Sequence, residues 1–296
     1  MSIVVGFVCT NYDNARYTRA AIASLHADAS RDDVRVVVVD NHSKERDVAE
    51  LRAIAAEFPR VELVLNPENV GYFRGLNIGI RRMRERFPEA EVLVVGNNDL
   101  EFPAGFVATV QRARTVFDEH AVVAPDLVTP DGVHQNPHVL HPISGLRRLV
   151  WDVYFLHYWA AVAVRVVARL TRRWTVREEN AADSTLHRRE GPVEQGYGAC
   201  YLLGPAFFRH FEGFYAPTFL MQEEYFLSEQ LGTIGQRTWY DPRFVVRHVG
   251  HATMGTLPGR RHWAISREAH RAYKDFFRRP LDERRRIIAA AGREQA

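Results

Sequence analysis

A chain of 296 residues, 46% hydrophobic and 25% charged, is long enough to bury a substantial core and too apolar to be disordered. Its net charge of +3 does not mark a nucleic-acid binder, and two cysteines, Cys9 and Cys200, exclude a disulfide framework and a four-ligand zinc site. Both thiols are expected to be small buried apolar groups in a reducing compartment. The opening MSIVVGFVCT has no basic stretch before its apolar run, so it reads as a first strand and not as a signal peptide.

Over the first 125 residues or so, short Val-rich runs alternate with helix-like segments. SIVVGFVCT, VRVVVVDN, VELVLNP, EVLVVGNND and HAVVAPDLV lack period-two alternation, as strands buried on both faces do. Helices are expected over Ala15–Ala27, Glu45–Phe58, Arg74–Phe87 and Ala104–Asp118. The alternation implies βαβ units in an α/β fold with a mostly parallel sheet flanked by helices.

Beyond Val133 the rhythm breaks. Leu146–Trp174 is apolar and aromatic but interrupted by arginines, which are costly inside a bilayer, so a membrane span is rejected. Two readings stay open: an amphipathic helix on a membrane surface or over an acceptor groove, and a buried helical hairpin. Arg177–Glu194 is charged and aperiodic and reads as a loop. GYGACYLLGPAFF then resembles a strand entering a short helix, Leu220–Leu231 a helix and TWYDPRFVVRH a strand, with Arg261–Phe277 and Asp282–Ala291 as terminal helices. From Pro258 onward there are 11 Arg/Lys against 5 Asp/Glu, a local excess of 11 − 5 = +6, which fits an anionic surface or a solvated helix face.

Each of the first four strands ends in polar side chains: Thr10-Asn11, Asp40-Asn41, Asn66 with Asn69 following, and Asn97-Asn98-Asp99. Ligands of open parallel sheets bind outside these carboxyl ends, so the residues are expected to converge on one cleft. NVGYFRGLNIG allows close backbone approach at Gly71, Gly75 and Gly79, but no GxGxxG follows the first strand and no GxxxxGK[ST] occurs, which disfavours dinucleotide binding and excludes a P-loop. Asp99 offers a hard oxygen ligand for Mg²⁺ or Mn²⁺ shared with a diphosphate. In a helix over Leu220–Leu231, Leu220, Leu227 and Leu231 form one stripe bordered by Glu223 and Glu224. Both carboxylates fall in the first turn, where the helix dipole favours negative charge.

In order and spacing, Asp40-Asn41-His42-Ser43, Asn69-Val70-Gly71-Tyr72 with Asn77-Ile78-Gly79, Asn97-Asn98-Asp99 and the later GYGACYLLGPAFF, FLMQEEYFLSEQLGTIG and YDPRFVVRHVGHATMG resemble the family 2 inverting glycosyltransferases of GT-A fold. The resemblance covers Ile3–Gly255 and is strongest to the rhamnosyltransferase-like enzymes of surface polysaccharide assembly. It implies a GT-A domain over 1–255, with a donor half to about 130, an acceptor half over 131–255 and a helical insert near 143–175. Residues 256–296 then form a helical extension.

The resemblance also implies a nucleotide-diphosphate sugar donor, UDP- or dTDP-linked and rhamnose in the narrower reading. Its site comprises Thr10, Asn11, Asp40, Asn41, Asn69, Gly71, Asn77, Asn98 and Asp99. A divalent cation, Mn²⁺ or Mg²⁺, is implied at Asp99 and His248, with Asn97 standing where the family's first metal carboxylate would be. His251 is a neighbour of that site. Glu224 is implied as the general base and Glu223 as its orienting partner. Arg74 is a further candidate for the diphosphate, alongside a surface role. The acceptor is expected to be a glycan, a lipid-linked molecule or a small molecule. The chain is expected to be cytoplasmic and peripheral on the inner face of the membrane, with no nucleic-acid partner and a homo-oligomer left open. A sugar nucleotidyltransferase and a non-catalytic sugar-nucleotide or membrane-surface binder are the competing classes.

Overall fold

The structure, a computed structural model, describes residues 3–27, 33–140, 145–170, 185–250 and 259–294. Strands β1 (Val4–Asn11), β2 (Val34–Asp40), β3 (Val61–Leu65) and β4 (Ala90–Asn97) alternate with helices α1 (Ala15–His26), α2 (Glu45–Glu57) and α3 (Tyr72–Arg86). β1 pairs in parallel with β2 and β4, and β2 with β3. Every residue of β2 is buried, the physical origin of its unbroken valine run. Val34, Val36 and Val38 pack on one face with Ile22 and Leu25 of α1, and Val37 and Val39 on the other with Leu76 and Ile80 of α3.

β5 (Leu100–Glu101), α4 (Phe106–Arg112), α5 (Arg114–Glu119) and β6 (Val122–Val128) follow. The one helix expected over 104–118 is therefore two. The Ala113 amide bonds back three residues to Val110 O (3.1 Å), which tightens the turn and breaks the α-helical ladder. With β7 (Gly191–Val193), β8 (Cys200–Leu203) and β9 (Thr238–His248), the nine strands of the described residues form one sheet in the order β3-β2-β1-β4-β8-β6-β9-β5, with β7 alongside β9. β8 runs antiparallel between β4 and β6, and β9 parallel to β6. The segment read as a loop over 177–194 thus carries, in its described part, a 3₁₀ turn at Leu186–Arg188 and strand β7. Three residues are too few to show a strand's periodicity, and Pro192 is tolerated at a sheet edge.

The insert forms a hairpin of two helices, α6 (Gly145–Leu156) and α7 (Tyr158–Leu170), which break at His157. α8 (Pro205–Phe208) follows β8, and α9 (Glu223–Gly232) carries the acidic pair. α9 starts at Glu223 and not near Leu220, because Met221 (φ 76°) and Gln222 (φ 70°) both take the left-handed conformation. Leu220 is therefore no member of the helical stripe, whereas Leu227 and Leu231 are buried as expected.

The terminal helices α10 (Arg260–Phe277) and α11 (Leu281–Glu294) clamp α9. Phe226 of α9 packs with Tyr273, Phe276 and Ile288, and Arg284 pairs with Glu229 at 2.8 Å. α10 also holds α6: Trp263 Nε1 donates to Tyr154 O (3.2 Å), and Arg267 donates to Phe155 O (2.9 Å) and Leu156 O (3.2 Å) at the end of that helix. A guanidinium is a favourable cap for such orphan carbonyls. Cys9 and Cys200 are buried and unpaired. His251, the end of the apolar stretch over 171–174 and the boundary expected at 255/256 lie outside the described residues.

Candidate active site

Parallel pairing aligns the strand ends. Asn11 lies opposite Asp40, and Thr10 opposite Asn97. The amides of Asn41 and Asn66 extend the ladder onto Asn11 O and Asp40 O, both at 2.9 Å. The polar termini of β1 to β4 therefore share one edge, where open parallel sheets bind ligands.

Several of the expected donor residues are committed to the protein. Asn11 Nδ2 donates to Asp40 Oδ1 (3.0 Å) and Asp47 Oδ2 (2.7 Å), while its Oδ1 accepts from Thr18 Oγ1 (3.0 Å) and Asn98 Nδ2 (3.0 Å). Asp40 also accepts from the Ser43 amide and hydroxyl. Asn41 Nδ2 donates to Gly71 O (3.0 Å) and its Oδ1 accepts from Asn66 Nδ2 (2.9 Å). Asn77 pairs through both amide atoms with the backbone of Phe214, at 2.7 and 2.8 Å, tying α3 to the segment ahead of the acidic pair. These amides brace the cleft floor, and Thr10, Asn69 and Asp99 remain partly exposed along it. Arg74 is held by Ala216 O and Pro217 O, both at 3.1 Å, a surface anchoring of the same segment.

Gly71 joins the donor and acidic sides. It has φ +94°, its amide donates to Asn69 Oδ1 (3.0 Å), and an added Cβ would stand 2.1 Å from Phe219 O. The next amide, Tyr72 N, donates to that same carbonyl at 3.0 Å. Gly71→Ala is therefore expected to cost roughly 3 kcal/mol, from left-handed strain plus displacement of a backbone segment, read as a lowered urea midpoint. Tyr72 has a role that sequence reading missed: its hydroxyl donates to Gly198 O (2.8 Å) beneath the acidic pair. Burial holds the phenol well above its usual range, and the charges of Glu223 and Asp99 act in the same direction. Its place within the NVGY motif was the available signal.

Glu223 is 6% exposed, and one of its carboxylate oxygens has no hydrogen-bond partner. Burial first, then the neighbouring charge of Glu224, pushes its pKa up to about 8. Burial also raises Glu224, opposed by N–H groups at Glu224 and Gly198 that favour its ionised form. Gly198 is pressed against this carboxylate: a Cβ there would lie 2.5 Å from Glu224 Oε1. Two adjacent buried carboxyls, both raised, favour a pair that holds one proton between them. The two left-handed residues before Glu223 are strained for non-glycine side chains, a cost tolerated where it aims functional groups.

Asp99 and His248 face one another, with His248 Nε2 3.3 Å from Asp99 Oδ1. That oxygen is buried and lacks a hydrogen bond. On the far side of the ring, His248 Nδ1 lies 2.8 Å from Gln135 Oε1, a second partner that sequence reading missed. With Nδ1–H donating to Gln135, the Nε2 lone pair points at an unpartnered carboxylate oxygen, an arrangement that a cation between them would relieve. The oxygen and imidazole donors suit Mn²⁺ or Mg²⁺. Asn97 Nδ2 is 3.5 Å from the same ring nitrogen. Among the described residues no group of three or more His, Cys, Asp or Glu side chains is arranged to hold a metal alone. Asp99 and His248 could therefore hold an ion only together with ligands from outside the protein.

Comparison with known proteins places the chain among glycosyltransferases. The N-acetylglucosaminyl-diphospho-decaprenol L-rhamnosyltransferase of Mycobacterium tuberculosis is 23% identical over 265 residues, covering 86% of this chain and 78% of the relative. Among solved structures, GalNAc-T7 with UDP, GalNAc and Mn²⁺ superposes with a TM-score of 0.52 at 12% identity, covering 84% of this chain and 44% of the other. A mannosyltransferase from Pyrobaculum calidifontis, in complex with GDP-Man and Mn²⁺, superposes with a TM-score of 0.51 at 17% identity, covering 86% of this chain and 59% of the other. The chain therefore spans less than two thirds of these two solved proteins and shares the GT-A fold with them. The profile of glycosyl transferase family 2 matches residues 6–159, more than half of the sequence, and the chain belongs to that family of glycosyltransferases.

Proposed function

We propose that this glycosyltransferase moves a sugar, rhamnose, from a UDP- or dTDP-linked donor to a hydroxyl of a lipid-linked glycan, inverting the anomeric carbon. In this reading the chain works at the inner face of the membrane, with residues 1–130 as the donor half, 131–255 as the acceptor half and 256–296 as a helical extension. The observation that carries the reading is the placement of Tyr72, next to Gly71 at the start of α3, with its hydroxyl donating at 2.8 Å to Gly198 O, the residue pressed against the Glu224 carboxylate. A nucleotide diphosphate at the strand ends and an acceptor at the acidic pair then meet across one cleft. The rhamnosyl and lipid-linked parts of the proposal rest on the similarity to the mycobacterial relative.

Thr10 receives the nucleoside and Asn69 and Gly71 lie against the donor, while Asp40, buried and bonded to Asn11 and Ser43, shapes the floor beneath the base and ribose. Asn11, Asn41, Asn77 and Asn98 hold that wall in shape through the bonds described above. Asp99 and His248 would hold a divalent cation, which would supply Lewis-acid neutralisation of charge on the diphosphate. Glu224 accepts the proton of the acceptor hydroxyl as its oxygen bonds to the anomeric carbon. The bond from that carbon to the diphosphate breaks, and its electron pair leaves with the nucleoside diphosphate. Glu223 keeps its proton, so that only one negative charge occupies the pair when Glu224 acts.

Thermal melting with UDP, dTDP and GDP, with and without Mn²⁺, tests the donor site. One nucleotide is expected to raise the melting temperature by several degrees, in large part only with the metal. Asp99→Asn should abolish the metal-dependent part. No shift with any nucleotide would remove the basis of the donor assignment.

A further inference from the structure

Six of the eleven large apolar side chains exposed among the described residues lie on the α6–α7 hairpin: Leu149, Val153, Leu156, Trp159, Val166 and Val167. The spacing 149, 153, 156 puts the first three on one face of α6, and 159, 166, 167 puts the others on one face of α7. Leu156 (66% exposed) and Trp159 (61% exposed) flank the break at His157, so the two stripes meet at the hairpin's tip. The other side of α6 is already occupied, with Phe155 stacked on His270 at 4.5 Å and Trp151 edge-on to Tyr225 at 5.9 Å. This is a second apolar face on helices whose first is buried, beyond what packing against α10 requires.

Charge identifies what covers it. The one acidic residue of the two helices, Asp152, is bound by Lys274 (2.8 Å) and His270 (3.0 Å). Arg148 is exposed beside Leu149, and exposed Arg260 lies over the rings of Tyr158 (5.4 Å) and Trp159 (6.0 Å), with exposed Arg261 next to it. An apolar stripe rimmed by guanidinium groups and free of uncommitted carboxylates matches the boundary between acyl chains and anionic headgroups. A second copy of the chain would bring the same cations face to face.

We infer that the α6–α7 hairpin is a bilayer-docking surface that lies in the interface of an anionic membrane without crossing it. No described helix is long and apolar enough to span one. The inference deepens the proposed lipid-linked acceptor and rests on that reading for its purpose. Arg148 also lines a cavity of about 130 Å³ with Tyr225, Ser228 and Tyr273, so docking brings the bilayer surface to the helix that carries Glu224.

Co-sedimentation of the full chain with phosphatidylcholine vesicles, with and without phosphatidylglycerol, tests this directly. The chain should prefer the anionic vesicles at least tenfold. Leu156→Glu combined with Trp159→Glu should lower that binding at least tenfold, and Arg260→Glu with Arg261→Glu should remove the preference for anionic lipid. Both variants should keep the parental melting temperature and nucleotide-induced shift. Absence of vesicle binding, parental binding by both variants, or a dimer that the Leu156/Trp159 variant dissolves would overturn the inference. Vesicle failure with intact nucleotide binding rejects the docking surface alone. Loss of nucleotide binding in the parent rejects the donor reading, and the vesicle result then decides the surface by itself.

Discussion

Glu224→Gln is expected to lower sugar transfer by about 10³-fold, the middle of the range for losing a general base, with nucleotide binding unchanged. Gln keeps the shape of the side chain and an oxygen for the Gly198 and Glu224 N–H groups, so the helix start should survive. What disappears is the atom that takes the acceptor's proton. The readouts are transfer under saturating donor and the nucleotide-induced melting shift, measured on one preparation. Near-parental turnover would reject Glu224 as the base, and a lost nucleotide shift would show that the substitution had damaged the donor site instead. Glu223→Gln should be milder in activity, because the amide still offers a donor where the protonated acid stood.

The larger effect of Glu223→Gln is on stability, and its sign follows from linkage. The folded chain holds the Glu223 proton up to about pH 8, against an ordinary value near 4.5, so between these limits the native state binds more protons than the unfolded one. This carboxyl therefore lowers stability progressively as pH rises from about 4.5 to about 8. Glutamine carries no such proton. At roughly 1.4 kcal/mol per pKa unit, and with the shift shared within the pair, the variant should exceed the parent by about 2 kcal/mol at pH 8. For a chain of this size that is a melting temperature about 4 °C higher, with the two proteins converging near pH 4. A difference that is constant with pH would show that the Glu223 proton is not held by the fold.

The pH dependence and the activity loss come from two adjacent residues that differ in surroundings. Glu223 turns into the protein, with an unpartnered oxygen, and Glu224 turns toward Gly198 and its amide. Identical side chains in consecutive positions acquire different surroundings because a helix start points them in different directions. Nothing in the letters Glu-Glu distinguishes them. The strained pair Met221-Gln222 decides that orientation by starting the helix at Glu223, three residues later than the apolar stripe suggested.

The sequence by itself determined the shared polar edge of the first four strands. Val-rich strands buried on both faces must be covered by helices on both sides, and parallel pairing then brings Thr10, Asp40 and Asn97 to one edge. Local pattern suffices there because each βαβ unit is set by short-range alternation. Ordered motifs likewise carried the family. Only the tertiary structure decided which polar residues are braces. Asn11, Asn41, Asn77 and Asn98 are satisfied by partners between 7 and 137 residues away in sequence, a separation no local pattern records. It also decided the partners of the functional groups: Gln135 behind His248, Tyr72 beneath Gly198, and α10 and α11 against the acidic helix. The hairpin shows the division most plainly. Its apolar residues were visible in the sequence, but packing against α10 determined which face is buried and which is left for another surface.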